Sequence, residues 1–163
     1  MRSKLAIAIV FVLLLNLVGC SSSERVLTEE ELRNAICLNL EEPEDVRSVA
    51  KWVPFGVIIS PKLSAAMREY PDDTVFRIGI CFQAMVSESE LEELSYNEKN
   101  EYLNDVAERA SECCREEGMI AYMGGGASYD WRFFYAFGTE EQIRNLSKHL
   151  DVRLYAFATV LYK

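Results

Sequence analysis

Histidine is almost absent from this chain, which has only His149 among 163 residues. No zinc site is predicted, because His149 lies far along the chain from Cys113 and Cys114, and those two cysteines have no residue between them. A general base at His149 would need a nucleophile and an orienting acid, and the spacing indicates neither. Its expected role is a favourable interaction with the C-terminus of its own helix. We therefore predict no catalytic residue, no metal, no cofactor and no enzymatic activity.

Positive charge is also scarce. The chain has 17 basic and 26 acidic side chains and a net charge of −9. Removal of residues 1–19 takes away Arg2 and Lys4, which leaves 15 basic against 26 acidic side chains and a net charge of −11. A charge of this sign repels phosphate backbones and anionic headgroups, so nucleic acid is not expected as a partner.

No apolar run in the N-terminal segment is long enough to span a bilayer. The run from Leu5 to Leu15 is shorter than the roughly 20 residues that a transmembrane helix needs. It follows a basic segment and precedes Leu17-Val18-Gly19-Cys20, which is similar to the lipobox of bacterial lipoproteins. The resemblance implies cleavage before Cys20 and acylation of its thiol, and the alternative is an ordinary secretory signal with a coincidental cysteine.

The N-terminal segment also predicts where the protein is located. A lipid on Cys20 would anchor the protein outside the cytoplasm, in the cell membrane or the outer membrane. Residues 1–19 are then a signal peptide, residues 20–27 a lipidated tether, and residues 28–163 a single α+β domain. The domain divides into a helical N-terminal extension, 28–58, and a core, 59–163.

Hydrophobic periodicity and capping residues predict the elements of this domain. The extension contains a helix from Glu29 to about Leu40, a second helix up to residue 53, and a short strand or connector over 55–59. After a helix that ends near Tyr70, strands are predicted over 74–86, 119–123, 129–137 and 152–162, and helical segments over 87–118 and 139–150. This order is the ferredoxin-like βαββαβ arrangement, a four-stranded antiparallel sheet over about 74–162 with two helices on one face.

The other face of that sheet carries a surplus of aromatic side chains. Large exposed apolar patches usually mark a binding site for a partner or a ligand. The alternative is that the N-terminal helices or the connector 55–59 cover this face. The candidate binding residues are Trp131, Phe133, Tyr135, Tyr155 and Phe157.

Four cysteines remain after Cys20, in a compartment where disulfides form. A bridge between the neighbours Cys113 and Cys114 would be strained on a helix. We expect at most one disulfide, from Cys37 to Cys113 or Cys114. The alternative, that all four are small buried apolar residues, is equally open.

Two stretches resemble the propeptides and small inhibitors of subtilisin-like proteases. One runs from Ile59-Ser60-Pro61-Lys62-Leu63 to Tyr70-Pro71-Asp72-Asp73-Thr74, and the other is Tyr135-Ala136-Phe137-Gly138-Thr139 with the helix and strand that follow it. The resemblance covers about 59–161 and implies a ferredoxin-like fold whose open sheet face contacts a protease. The helical region 87–118 is longer than in the minimal propeptide.

These observations lead to one main functional hypothesis. The chain is expected to be a non-catalytic, membrane-anchored module that binds another protein through the aromatic sheet face. A second hypothesis is a binding protein for a small apolar or aromatic ligand held between the sheet and the N-terminal helices. An inhibitory propeptide-like module is a third hypothesis, and a thiol redox enzyme that uses Cys113 and Cys114 is a fourth.

Overall fold

The computed structural model describes residues 27–41, 54–122 and 132–158. These residues form a mixed α+β fold with six strands in one sheet and five α-helices. No helix within the described ranges is long and apolar enough to cross a membrane. In chain order the elements are α1 (Glu29–Arg33), β1 (Ile36–Cys37), β2 (Gly56–Ile59), α2 (Pro61–Met67), β3 (Val75–Phe82), α3 (Glu88–Glu93), α4 (Tyr96–Glu116), β4 (Ile120–Tyr122), β5 (Phe133–Thr139), α5 (Glu140–Asn145), a 3-10 turn (Leu146–Lys148) and β6 (Arg153–Phe157).

Strand β3 is the centre of the sheet, whose order is β2-β6-β3-β5-β4. It pairs antiparallel with β5 from Val75 to Cys81, and with β6 from Gly79 to Phe82. β1 pairs with the first half of β3, on the edge whose second half pairs with β6, and it runs parallel to β3. A second parallel pair joins β2 to β6. The sheet is therefore mixed and six-stranded, which is larger than the four-stranded antiparallel sheet predicted for 74–162.

The two additional strands come from the N-terminal extension. The predicted helix from Glu29 to about Leu40 ends at Arg33, and Ile36 and Cys37 form β1 beside Phe76 and Arg77. Pairing with the buried central strand outweighs the helical spacing of these few residues, since local propensity is a weak signal. The expectation of a strand or connector over 55–59 is confirmed as β2, whereas the predicted second helix, up to residue 53, lies outside the described residues.

Several helix starts agree with the capping signals in the sequence. Thr28 with Glu31 and Ser87 with Glu90 each form the reciprocal hydrogen bonds of a capping box, which satisfies backbone N–H groups at a helix start. The side chain of Ser60 caps α2, which begins at Pro61. The helical region predicted over 87–118 is divided into α3 and α4, with the break at Leu94 and Ser95.

The main hydrophobic core lies between one face of the sheet and the helices α2, α4 and α5. Alternate side chains of β3 point into it because successive residues of a strand face opposite sides. On α4 the apolar stripe follows helical spacing and lies against these strand residues. The members with no exposed surface include Phe76, Ile78, Ile80, Phe82, Leu63, Met67, Ala107, Ala110, Cys113, Cys114, Ile143 and Leu146. We call the opposite side of the sheet the second face.

Gly79 of β3 leaves space on the second face for the ring of Phe157. A Cβ atom at this position would lie 2.3 Å from Cζ of Phe157, which is far inside van der Waals contact. We expect Gly79→Ala to lower the free energy of unfolding by about 1–3 kcal/mol, the usual cost of overpacking a well-filled site. Urea unfolding of a protein comprising residues 24–163 measures this change.

The same substitution in a Phe157→Leu background serves as the control. Leucine lacks the far end of the ring, so the penalty of Gly79→Ala should be clearly smaller there. Equal penalties in the two backgrounds would contradict the proposed steric conflict.

Candidate functional site

The structure brings four of the five predicted binding residues together on the second face. Phe133 and Tyr135 lie on β5, Tyr155 and Phe157 lie on β6, and Trp131 falls outside the described residues. Phe133 and Tyr135 are half-buried, whereas Tyr155 is 5% exposed and Phe157 is 0% exposed. Tyr155 and Phe157 are therefore covered, whereas Phe133 and Tyr135 keep some accessible surface.

These rings form a continuous aromatic row. Phe157 stacks on Tyr155 with their centroids 6.4 Å apart and meets the edge of Phe133 at 6.3 Å. Phe133 in turn contacts Tyr135 edge-on at 5.7 Å. Offset-stacked and edge-to-face pairs of this kind are favourable and geometrically specific. The buried end of the row therefore holds its accessible end in position.

The end of the row at Tyr155 is closed by the segment after β1. The carboxylate of Glu41 accepts hydrogen bonds from Ser60 Oγ at 2.7 Å and from the backbone N–H of Ala158 at 3.0 Å. Burial raises the pKa of the Tyr155 hydroxyl, and the negative charge of Glu41 adds to the rise. Tyr155 therefore belongs to the covered end of the row.

The opposite end, on β4 and β5, is accessible. Ile120 and Tyr122 of β4 lie beside Phe137 and Tyr135 of β5, and paired residues of neighbouring strands project from the same face. Tyr122 is 65% exposed, and the other three are half-buried. We call the surface formed by Arg77, Ile120, Tyr122, Phe133, Tyr135 and Phe137 the β4–β5 aromatic patch.

Arg77 places a positive charge within this patch. Its guanidinium carbon lies 4.2 Å from the centroid of the Tyr135 ring, the geometry of a cation–π interaction. Within the described residues no carboxylate pairs with Arg77, and its buried Nε has no hydrogen-bond partner. The patch therefore combines aromatic surface with a positive charge.

The cysteines that were considered for a disulfide do not form one in the part of the chain that the structure describes. Cys113 and Cys114 lie in the main core on α4. Cys37 pairs with Arg77, so its side chain belongs to the second face. The sheet thus separates Cys37 from the other two thiols, which explains why the expected bridge is not present.

The thiols of Cys113 and Cys114 have low reactivity. Burial raises the pKa of Cys113 to about 11 and that of Cys114 to about 12. Both side chains are therefore protonated at neutral pH, and the thiolate is the form that reacts. This environment does not favour a redox role for the pair.

His149 contacts the end of α4 rather than the end of its own helix. Its Nε2 lies 3.0 Å from Oε1 of Glu117, and its Nδ1 lies 3.4 Å from Oε2 of Glu116. The fold also brings the potential ligand atoms of His149, Asp151 and Cys113 within 4.8 Å of one another. Distance along the sequence concealed this cluster, and its only sequence signal is Cys-x-x-Glu on a helix followed later by His-x-Asp.

Comparison with protein-family models, with curated proteins and with solved structures yields no significant match. The similarity of residues 59–161 to subtilisin propeptides accordingly stays a prediction from the sequence.

We expect Cys113 and Cys114 to react slowly with a soluble disulfide reagent at neutral pH, because both thiols are buried and protonated. Labelling should become fast only when the protein is unfolded. The rate for each cysteine can be measured by mass spectrometry of the EDTA-treated protein with and without urea. Rapid labelling of either thiol in the folded protein would instead favour a redox function.

Proposed function

We propose that this chain is a non-catalytic lipoprotein, held outside the cytoplasm by lipid on Cys20, that binds another protein through the β4–β5 aromatic patch. The anchor is supported by the basic segment, the short apolar run and the lipobox Leu17-Val18-Gly19-Cys20. Residues 1–26 lie outside the described residues, so this part of the proposal rests on the sequence alone.

The observation that supports binding is the exposure of the patch. The helices α2, α4 and α5 all pack on the opposite side of the sheet. Tyr122 remains 65% exposed beside the half-buried ring of Tyr135. Tyrosine and arginine are the residue types that most often dominate binding energy at protein interfaces, and the patch combines them.

The charge of the patch indicates the chemistry of the partner. The mature chain from Cys20 would carry a net charge of −11, yet the charged residue at the patch is the cation Arg77. A partner with apolar side chains around one carboxylate would satisfy the guanidinium and cover the rings. An anionic membrane is disfavoured by the charge of the protein as a whole.

The strand order supports a finer description of the fold. The strands β6, β3, β5 and β4 are neighbours in that order and all pair antiparallel, with α4 between β3 and β4 and α5 between β5 and β6. We propose that these elements form a ferredoxin-like unit to which β1 and β2 are added. The added strands leave the β4–β5 side of the second face uncovered.

We expect Tyr122→Ser and Arg77→Met each to reduce capture of the partner by at least about tenfold, because truncation of a central interface residue commonly costs more than 1 kcal/mol. The measurement is a crosslinked pull-down from native membranes, quantified by mass spectrometry. Tyr96→Ser is the matched control, since Tyr96 is 74% exposed but lies at the start of α4. Equal capture by Tyr122→Ser and wild type would refute binding at this patch.

The proposed lipid anchor at Cys20 can be tested separately from binding. Intact mass spectrometry of the mature wild-type protein should show a chain that begins at Cys20 and carries acyl chains, whereas Cys20→Ser should show neither the cleavage nor the lipid. Cys37→Ser, which leaves the lipobox intact, should behave like wild type. A mature chain without added lipid mass would mean that the segment is an ordinary secretory signal.

A further inference from the structure

Three potential metal ligands from two distant parts of the chain meet at the C-terminal end of α4. Cys113 lies on that helix, and His149 and Asp151 lie between the 3-10 turn and β6. Their ligand atoms are all within 4.8 Å of one another. Ligand atoms around a tetrahedral zinc ion, with bonds of about 2.0–2.3 Å, are roughly 3.5 Å apart. Side-chain movements of about 1 Å would therefore bring the three atoms into coordination.

His149 is oriented as metal-binding histidines usually are. A ligating imidazole commonly donates its other N–H to a carboxylate, which fixes the tautomer and the ring orientation. Glu117 provides that carboxylate 3.0 Å from Nε2. The lone pair is then on Nδ1, which faces the carboxylate of Glu116 at 3.4 Å. Two acceptors opposite each other are unfavourable unless a cation lies between them or the ring carries a second proton.

The carboxylate of Asp151 also has one oxygen left for a metal. Nε and Nη2 of Arg109 both contact Oδ2 of Asp151 at 2.9 Å, so Arg109 does not occupy Oδ1. Nη1 of Arg109 lies 2.9 Å from Oε1 of Glu116, which leaves Oε2 toward His149. Arg109 thus turns one oxygen of each carboxylate toward the cluster.

The surrounding charge favours a cation despite the presence of Arg109. The carboxylates that contact Arg109 or His149 belong to Glu112, Glu116, Glu117 and Asp151, and the neighbouring cations are Arg109 and Lys148. With a neutral His149 this set has two negative charges in excess. A divalent ion would balance them, and ionisation of Cys113 would add further attraction.

We propose that Cys113, His149 and Asp151 bind a divalent cation of the zinc class, with Glu117 as the residue that orients His149. Glu116 lies outside the group of three but faces His149, and rotation of its carboxylate toward the ion would supply the fourth ligand. Thiolate, imidazole and carboxylate together are a ligand set suited to zinc. Four protein ligands form a closed site, so the ion has a structural role. It would join the end of α4 to the residues that lead into β6.

Binding includes a defined proton transfer. The Cys113 thiol is protonated at neutral pH, because burial raises its pKa to about 11. The ion forms a bond to sulfur as the S–H bond breaks, and the proton goes to solvent. No electron is transferred, so the step needs no oxidant or reductant. The half-exposed side chain of Asp151 leaves a path for the ion from solvent.

The full chain in detergent, freed of metal with a chelator, can be titrated with Co²⁺ as a spectroscopic probe. We expect a thiolate-to-cobalt charge-transfer band that saturates at one ion per chain and disappears when Zn²⁺ is added. Cys113→Ser should lose the band, and His149→Gln should weaken Zn²⁺ binding at least tenfold. Glu117→Gln should weaken it by about 10–100-fold, as is usual for residues that support a ligating histidine.

Cys114→Ser is the matched control, because its thiol is the next along α4 and lies outside the cluster. It should retain the cobalt band and the affinity for Zn²⁺. Since Cys113→Ser removes a buried core side chain, the more accessible Asp151→Asn provides a second variant, and it too should bind Zn²⁺ more weakly. Equal affinity of wild type, His149→Gln and Asp151→Asn would overturn the proposal.

The competing explanation is a doubly protonated His149 held between Glu116 and Glu117. Nitrogen NMR of the protein with saturating Zn²⁺ distinguishes a metal-bound His149 from a doubly protonated one. Under the proposal Nδ1 has no proton and shows a metal-bound shift, and the thermal midpoint rises with Zn²⁺ concentration. Two N–H signals from His149 that are unaffected by Zn²⁺ would overturn it. Neither result depends on whether the β4–β5 aromatic patch binds a partner.

Discussion

The pairing of β3 on both of its edges is the constraint on which the rest of the structure depends. Its residues Val75 to Phe82 are hydrogen-bonded to β5 on one side and to β1 and β6 on the other. One of its faces supplies the largest side chains of the main core, and Gly79 on the other face supports Phe157. A strand enclosed in this way cannot shift by one residue without exchanging the two faces. Both the helix layer and the aromatic row therefore have a defined position.

Much of this arrangement can be predicted from the sequence where local signals are strong. The alternation of Phe76, Ile78 and Ile80 identifies β3, and Ser87 with Glu90 marks the start of α3. The strand β1 could not be predicted, since two residues carry no periodicity and their conformation is determined by pairing with β3. The sequence leaves the burial of Tyr155 and Phe157 open, because it depends on contacts made through the fold rather than along the chain.

The candidate metal cluster is a further feature that could not be predicted from the sequence. Cys113 and His149 are neighbours because α4 ends where the chain approaches β6, on the core side of the sheet. A prediction based on ligand spacing along the sequence detects only short motifs, and here the spacing is defined in space. The surroundings of the two arginines could not be predicted from the sequence either. Carboxylates surround Arg109, whereas an aromatic ring lies under Arg77.

The short strand β1 also determines how the domain would respond to mechanical force. A chain held at its N-terminus transmits tension into the sheet through the segment 27–41, where β1 pairs with β3 over two residues. The next connections are the bonds of Glu41 to Ser60 and Ala158. These few bonds would be loaded before any of the longer pairings of β3. If the N-terminus is held by lipid as proposed, the segment 27–41 would therefore be the first part of the described fold to be pulled away from the sheet.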